Sequence, residues 1–392
     1  MASTTDAVLA FLAAAAIAWL LVPYAERLAY RIGAIDPPKE RGLHDRPMPR
    51  LSGLAIFAAV EVSGLIWLPH NGETRSILIG AAAIAAVGVV DDVRGLPALP
   101  KLLGQIGAAT IPVLGGVHPD VVTLPFIGGF HLGWSTYPLT VIGIVAVANV
   151  INFIDGIDGL AAGVCTIAAL ALAVIALSEY RGSAAVLATV SAAGVLSALT
   201  AGASLGFLRH GFPPASSFMG DTGSNLLGYL LGVVAVQGAL KTNAIIALFL
   251  PLLVLAVPIL DTGFVVTKRL KYRQPIYRAD SWHFHHRMAN IGFSQRRTLA
   301  YLYGWTLVMA GLALALRFVP YSDHHGHFHP FWTAVLIGCG LVALASSVYL
   351  IYVLEILKLR RGRLNPQTGE FEAIRLDGDG PGAESPREPA ER

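Results

Sequence analysis

Apolar residues run along this chain in long blocks. They show neither the strict alternation of a half-buried strand nor the one-sided stripe of a surface helix. A helix needs about 20 apolar residues to cross the hydrocarbon core of a bilayer. On that rule the blocks at 7–30, 51–69, 76–90, 101–117, 136–154, 158–178, 184–208, 222–240, 243–267, 298–318 and 332–357 predict eleven transmembrane helices. The expected fold class is therefore an all-α polytopic membrane protein. Residues 119–135 carry Val121, Thr123, Phe126 and the Gly128-Gly129 pair, the pattern of a small β-hairpin lying at the membrane surface. Beyond about residue 364 the chain is rich in Pro, Gly, Glu, Asp and Arg and has almost no apolar periodicity, which predicts disorder. The organisation read from this pattern is a membrane domain over 1–357 and a tail over 358–392. No basic region precedes the first apolar block, and that block is long enough to span, so no cleaved signal peptide is expected.

Composition narrows the class further. Hydrophobic residues make up 55% of the 392 residues and Asp, Glu, Lys and Arg only 14%, against roughly 25% charged residues in an average soluble domain. Mean hydropathy is +0.62. These values argue against a soluble enzyme, a disordered chain and a nucleic-acid binder. The net charge of +3 selects no partner, but the placement of charge does. With the N-terminus outside, the loops after odd-numbered helices and the C-terminal tail hold 24 of the 28 Lys and Arg; Arg75, Arg181, Lys241 and Arg317 fall on the other face. The positive-inside rule gives N-out, C-in, which makes the hairpin periplasmic. Cys165 and Cys339 both sit in apolar blocks and read as packing residues, not as a disulfide or a zinc site.

Five polar clusters break the apolar pattern: DPPKERGLHDRPMPRLSG at 36–53, DDVRGLPALPK at 91–101, NVINFIDGIDGL at 149–160, FMGDTGSN at 218–225 and DSWHFHHRM at 280–288. They follow helices one, three, five, seven and nine, so all five are expected on the cytoplasmic side. A single miscounted helix would scatter them to both faces, and this parity points to one site.

Each cluster has a plain reading beside a chemical one. Asp91-Asp92 at a helix end raises at least one pKa unless a cation compensates, which suits a metal site or a general base; taken alone it is equally an ordinary helix terminus. Asn149, Asn152, Asp155 and Asp158 recur every three residues along one side of a helix end, where Gly156 and Gly159 permit close backbone approach; the plain reading is a cap and turn. Gly220-Asp221-Thr222-Gly223-Ser224-Asn225 opens a helix, either as a simple cap or as a phosphate site with an Asp beside it for a divalent cation. Phe218 is placed to stack on a base, or to pack. His283, His285 and His286 with Arg287 suit phosphate, a sugar or a transition metal, and with so many oxygen ligands elsewhere a hard cation such as Mg²⁺ at the Asp sites is the better expectation. Lys39, His44, Arg46 and Arg50 suit phosphate or lipid head groups. Lys101 follows the carboxylate pair and opens an apolar block. Carboxylates for a cation, cations for phosphate and glycine-rich backbone together suggest phosphoryl transfer at the membrane surface.

The order DDVRGL, Lys101, NVINFIDGIDGLAAG, FMGDTGSN and HFHH resembles the polyprenyl-phosphate N-acetylhexosamine-1-phosphate transferases, glycosyltransferase family 4. These enzymes begin enterobacterial common antigen, O-antigen and wall teichoic acid, and they include the phospho-MurNAc-pentapeptide translocase. The resemblance covers about residues 1–357. It implies transfer of a sugar-1-phosphate from a UDP-sugar to undecaprenyl phosphate, with release of UMP, in a bacterial cytoplasmic membrane. It further implies Asp221 as a Mg²⁺ ligand, with Asn152 completing that site and Mn²⁺ able to substitute. Phe218 is implied as the ring on uracil, Asp155 and Asp158 as residues of the uridine pocket, and Asn149, Arg46, Arg50 and Arg287 as further substrate contacts. Asp91, Asp92, Lys101 and the three histidines are implied as the catalytic set. The HFHHR form and the stretch at 36–53 resemble the common-antigen and teichoic-acid enzymes, which favours UDP-N-acetylglucosamine as donor. Ser52 departs from the Gly often found there in relatives. On oligomeric state the sequence is silent, and a homodimer stays open.

A transporter is the main alternative, since interrupted helices with acids also describe carriers. Carriers place polar groups near mid-bilayer and have related halves, and neither is evident here. A non-catalytic scaffold has no need of five polar clusters on one face. The histidine run at 324–329 lies on the opposite face and reads as a surface loop. Glu61 and Asp261, in or near the helices, read as internally bonded or helix-end acids.

Overall fold

The structure is a computed structural model, and it describes residues 4–37, 47–119, 121–124, 128–178, 184–239, 252–271, 284, 288, 293–321, 328–356, 362–364 and 371–373. The chain divides into two compact units, residues 1–347 and 348–392. Among the described residues the helices are α1 (Thr4–Ile32), α2 (Gly53–Trp67), α3 (Gly72–Arg94), α4 (Ala98–Leu114), α5 (Thr136–Ile154), α6 (Leu160–Leu177), α7 (Ala184–Gly211), α8 (Gly220–Ala239), α9 (Ala256–Lys271), α10 (Gln295–Phe318) and α11 (Pro330–Ile356). Each predicted apolar block contains one of them. Seven helical stretches are long and apolar enough to cross a membrane: α1, α3, α6, α10, Gly133–Ile154, Ala192–Gly211 and Pro330–Leu350. α2, α4 and the Ala256–Thr267 part of α9 are apolar but shorter, and α8 opens on the polar run Gly220–Asn225. Length and composition thus support a multi-pass membrane protein.

Three short antiparallel ladders accompany the helices. Ile35–Asp36 (β1) pairs with Met48–Pro49 (β2), an element the apolar pattern did not predict. Val121–Leu124 (β3) pairs with Gly128–His131 (β4), at the position expected for the hairpin. In the second unit, within the segment whose composition predicts disorder, Gly362–Leu364 (β5) pairs with Phe371–Ala373 (β6).

The helices are held by close approach of small residues, which suits a setting where lipid tails are as apolar as leucine and only tight packing discriminates. α1 buries a face of Ala7, Ala10, Ala14, Ala18, Val22, Ala25 and Ala29. The facing helix, α7, meets it with Gly202 and Gly206, whose hydrogens lie against the carbonyls of Phe11 and Ala15; a Cβ at either glycine would overlap those oxygens. Backbone cannot rotate away as a side chain can. Gly202→Val is therefore expected to lower stability by at least about 3 kcal/mol, the upper part of the range for overpacking. A thermal melt of the detergent-purified protein checks this, and an unchanged midpoint would count against the helix contact.

α8 occupies the centre, packing on α2, α3, α5, α6 and α7. The wholly buried Tyr229 donates to the carbonyl of Ile77, fixing α8 against α3 (2.9 Å). Cys165 is fully buried and Cys339 partly so, both as free thiols.

Candidate active site

Four helix ends meet at one end of this bundle. α3 stops because Gly95 adopts φ +67°, where its N–H closes on the carbonyl of Asp91. The Asp91 carboxylate then accepts the N–H of Leu96 (2.7 Å). α4 starts three residues later, with Pro100 tolerated in its first turn, so Lys101 lies at its beginning. α5 ends at Ile154 and presents Asn152 in its last turn. α8 starts at Gly220 and presents Asp221 at once.

The side chains from these ends interlock. The Lys101 ammonium lies 2.8 Å from Asp91 and 2.9 Å from Asp221, and it also donates to the Asn152 carbonyl oxygen (3.4 Å). The Asn152 amide donates to Asp221 and to Ser224 (2.8 Å). Asp91 keeps 8% of its side-chain surface and Lys101 17%, whereas Asp221 keeps 30% and is the carboxylate open to the cleft.

Asp92 works differently from its neighbour. It is 8% exposed and accepts the N–H of Asp221 (2.8 Å), the N–H of Thr222 (2.9 Å) and the hydroxyl of Thr222 (2.6 Å). It therefore caps the start of α8 from another helix, satisfying donors that the helix cannot satisfy itself and opposing the positive end of its dipole. Gly220 makes room for this: it sits at φ +65°, and a Cβ there would meet the Arg50 carbonyl and both Asp92 carboxylate oxygens.

A backbone clasp brings the N-terminal region to the same place. Arg50 donates its N–H to Ala34 (3.1 Å), Phe218 to Pro49 (2.9 Å), Ser52 to Phe218 (3.3 Å) and Gly53 to Met219 (3.0 Å). The hydroxyls of Ser52 and Ser217 bond each other, which gives the departure at Ser52 a structural use. Phe218 is thereby held at the rim of the site, partly exposed. On the other side Asp158 accepts the N–H of Ala215 (3.2 Å), and Tyr303 pins the loop through the carbonyl of Gly159 (2.5 Å).

Asp155 lies on that loop, outside the helices. Burial, followed by the charges of Asp221, Asp92 and Asp158, pushes its carboxyl up to about 8 despite the opposing pull of Arg50, although part of its surface remains open. Among the described residues no three His, Cys, Asp or Glu side chains form a ready-made metal cage.

Of the residues singled out in the sequence, Asp91, Asp92, Lys101, Asn152, Asp155, Asp158, Phe218, Asp221 and Arg50 gather at this end. Asn149 lies a turn further into the bundle, where its amide donates to Gln105 and to the carbonyl of Val145 (both 2.8 Å). Arg46, His283, His285, His286 and Arg287 lie outside the described residues, as do Lys39, His44 and most of the histidine run at 324–329. Within the histidine motif Phe284 is described. Its N–H is held by the buried Asp261 (2.8 Å), and its ring lies 5.9 Å from that of Trp305. Asp261 thus ties the motif to α9, an internal bond as the sequence suggested. Sequence reasoning missed Gln105 and passed over Asn225 as a separate contributor. Both are polar residues one turn from a residue of the cluster, and that spacing was the available signal.

The family model for glycosyl transferase family 4 matches residues 74–239, the segment that supplies the four helix ends. A probable undecaprenyl-phosphate N-acetylglucosaminyl 1-phosphate transferase of Bacillus subtilis is 39% identical over 313 residues, covering 79% of this chain and 85% of the relative. A decaprenyl-phosphate N-acetylglucosaminephosphotransferase of Mycolicibacterium smegmatis is 35% identical over 374 residues, 90% of this chain and 88% of the relative. A phospho-N-acetylmuramoyl-pentapeptide-transferase of Moorella thermoacetica is 30% identical over 287 residues, 68% of this chain and 84% of the relative. A multi-pass helical protein with an acidic and amide cluster at its helix ends is the class these observations define. The chain belongs to glycosyl transferase family 4, with the polyprenyl-phosphate amino-sugar phosphotransferases.

Proposed function

We propose that this chain transfers N-acetylglucosamine-1-phosphate from UDP-N-acetylglucosamine to a polyprenyl phosphate, undecaprenyl phosphate in our reading. The observation that carries this is the meeting of Asp91, Lys101, Asn152 and Asp221 at four helix ends inside the matched family segment. The names of the relatives above support the sugar and the lipid class. In the net reaction the phosphorus that bears the sugar gains a bond to an oxygen of the lipid phosphate and loses its bond to the bridging oxygen of UMP, and UMP leaves, whether by direct attack or through an aspartyl step. In this reading Phe218 and Asp155 receive the uridine, and Lys101 and Arg50 meet phosphate charge; their gathering at one end of the bundle supports it.

A hard divalent cation, Mg²⁺ or Mn²⁺, fits at Asp221. This carboxylate is the open one of the cluster, and Asn152 adjoins it. In this reading Asp221 and Asn152 would hold the cation, and substrate oxygens would share its shell. When bound, such a cation neutralises charge on the transferring phosphate. For the membrane we propose eleven crossings with the N-terminus outside and the C-terminus inside, supported by the 24 of 28 basic residues on one side. That topology puts the site at the cytoplasmic face of a bacterial inner membrane and the β3–β4 hairpin in the periplasm.

The test is a donor panel. Purified protein with Mg²⁺, undecaprenyl phosphate and UDP-N-acetylglucosamine is expected to release UMP and form a lipid-linked pyrophosphate sugar. No UMP from any UDP-N-acetylhexosamine, at intact fold, would refute the proposal.

A further inference from the structure

One turn beneath the Lys101–Asn152–Asp221 cluster lies a second polar layer built from the same three helices. Gln105 follows Lys101 by four residues on α4, Asn149 precedes Asn152 by three on α5, and Asn225 follows Asp221 by four on α8. Gln105 and Asn225 are each 1% exposed. The Gln105 amide donates to Asn225 (2.8 Å) and to the Asn149 carbonyl oxygen (3.4 Å), and its own carbonyl oxygen accepts from Asn149 (2.8 Å). Asn225 in turn donates to the backbone carbonyl of Asp221 (2.8 Å).

We infer that Gln105 is a positioning residue for the transfer step: its carboxamide ties α4, α5 and α8 at one level and so sets Lys101, Asn152 and Asp221 against each other one turn above. The inference rests on the function proposed here and names a residue through which that site is held. Apolar helix faces slide past one another at little cost, whereas a buried amide has partners at one register only. Moving α4 along its axis by a fraction of a turn strands the Gln105 carboxamide and the side-chain oxygens of Asn149 and Asn225, and an unmet buried polar group costs about 1–3 kcal/mol. Gln105 itself is separated from the cleft by the upper layer, so it acts through its neighbours. The nucleotide-facing Phe218 and Asp155 stand on loops outside the layer, which separates what Gln105 controls from what binds the uridine.

Gln105→Met keeps the volume and removes every hydrogen bond. It is expected to lower kcat about 100-fold, the scale of a misplacement near 1 Å, while KM for UDP-N-acetylglucosamine stays within about threefold and the melting midpoint falls by only the few degrees that the unmet Asn149 and Asn225 oxygens cost. Thr110→Val, a polar deletion on the same helix outside the layer, is expected to leave kcat unchanged. If Gln105→Met does not fold, Gln105→Asn carries the same expected split, since it keeps a carboxamide but is one carbon too short to reach both Asn149 and Asn225. Electron paramagnetic resonance titration of the purified protein with Mn²⁺ alone reads the geometry without turnover: Gln105→Met is expected to bind at least about fivefold more weakly, because Asp221 and Asn152 no longer converge. A wild-type kcat in Gln105→Met, or a loss that merely follows the melting midpoint, overturns the inference and leaves the proposed function standing. A wild-type protein that releases no UMP overturns the function first, and the Mn²⁺ titration then decides the layer, with equal affinities counting against it.

Discussion

Asp221→Asn is expected to reduce UMP release by at least about 10³-fold, because it removes the one carboxylate of the cluster that is open to the cleft. A metal ion bound to a transferring phosphoryl group is worth several kcal/mol of charge stabilisation, and each 1.36 kcal/mol is tenfold in rate. The substitution keeps the shape and one acceptor oxygen for the Asn152 amide, at a position that keeps 30% of its side-chain surface open, so the protein is expected to fold. It also leaves Lys101 with Asp91 as its only carboxylate. Nucleotide release from purified protein, measured against Mg²⁺ concentration, checks the prediction. Retention of activity within about tenfold of wild type at saturating Mg²⁺ would remove Asp221 from the centre of the site.

The second large effect belongs to Asp92, for a different reason. Its oxygens accept two backbone N–H groups and one hydroxyl at the start of α8. Asp92→Asn turns one acceptor atom into a donor facing the N–H and hydroxyl of Thr222, so α8 must retreat and carries Asp221 with it. A loss in kcat of about 100-fold is expected, with the nucleotide KM little changed. Helix capping from another element contributes about 1 kcal/mol, so the fold survives the change. The pair Asp92→Asn and Asp221→Asn should be far from additive, since the first acts by displacing the second. Additive losses would assign Asp92 a part in the chemistry of its own.

The helices were readable from the sequence because continuous apolar blocks mark them: each of the eleven blocks overlaps a described helix, and seven helical stretches are long and apolar enough to cross a membrane. The site was readable for a related reason. Asp91, Lys101, Asn152 and Asp221 are costly where they stand, at the ends of apolar helices, and such residues mark function or internal pairing. The division of labour between Asp91 and Asp92 was not readable: two adjacent carboxylates look alike until their partners are known, and those partners lie 10 and about 130 residues away along the chain. The β1–β2 ladder escaped notice because two residues on each strand carry no periodicity, and its purpose emerges only in the clasp with Phe218 and Met219. Gln105 is a lone amide within an apolar block, and nothing nearby in sequence announces Asn149 and Asn225 as its partners.

The pairing of α1 with α7 has a consequence for how the molecule is made. Trp19 and His210, in contact across that seam, are 191 residues apart, and the clasp joins Pro49 to Phe218 over a similar span. A chain emerging from the ribosome delivers α1 and its neighbour α2 first, yet Gly202 and Gly206, which close on the α1 carbonyls, arrive only with α7. Only then do Pro49 and Ser52 find their counterparts and hold Gly220 beside Asp92. A chain that stops before residue 220 therefore lacks Asp221 and the start of α8 that Asp92 caps, and the site is complete only once α8 has been made.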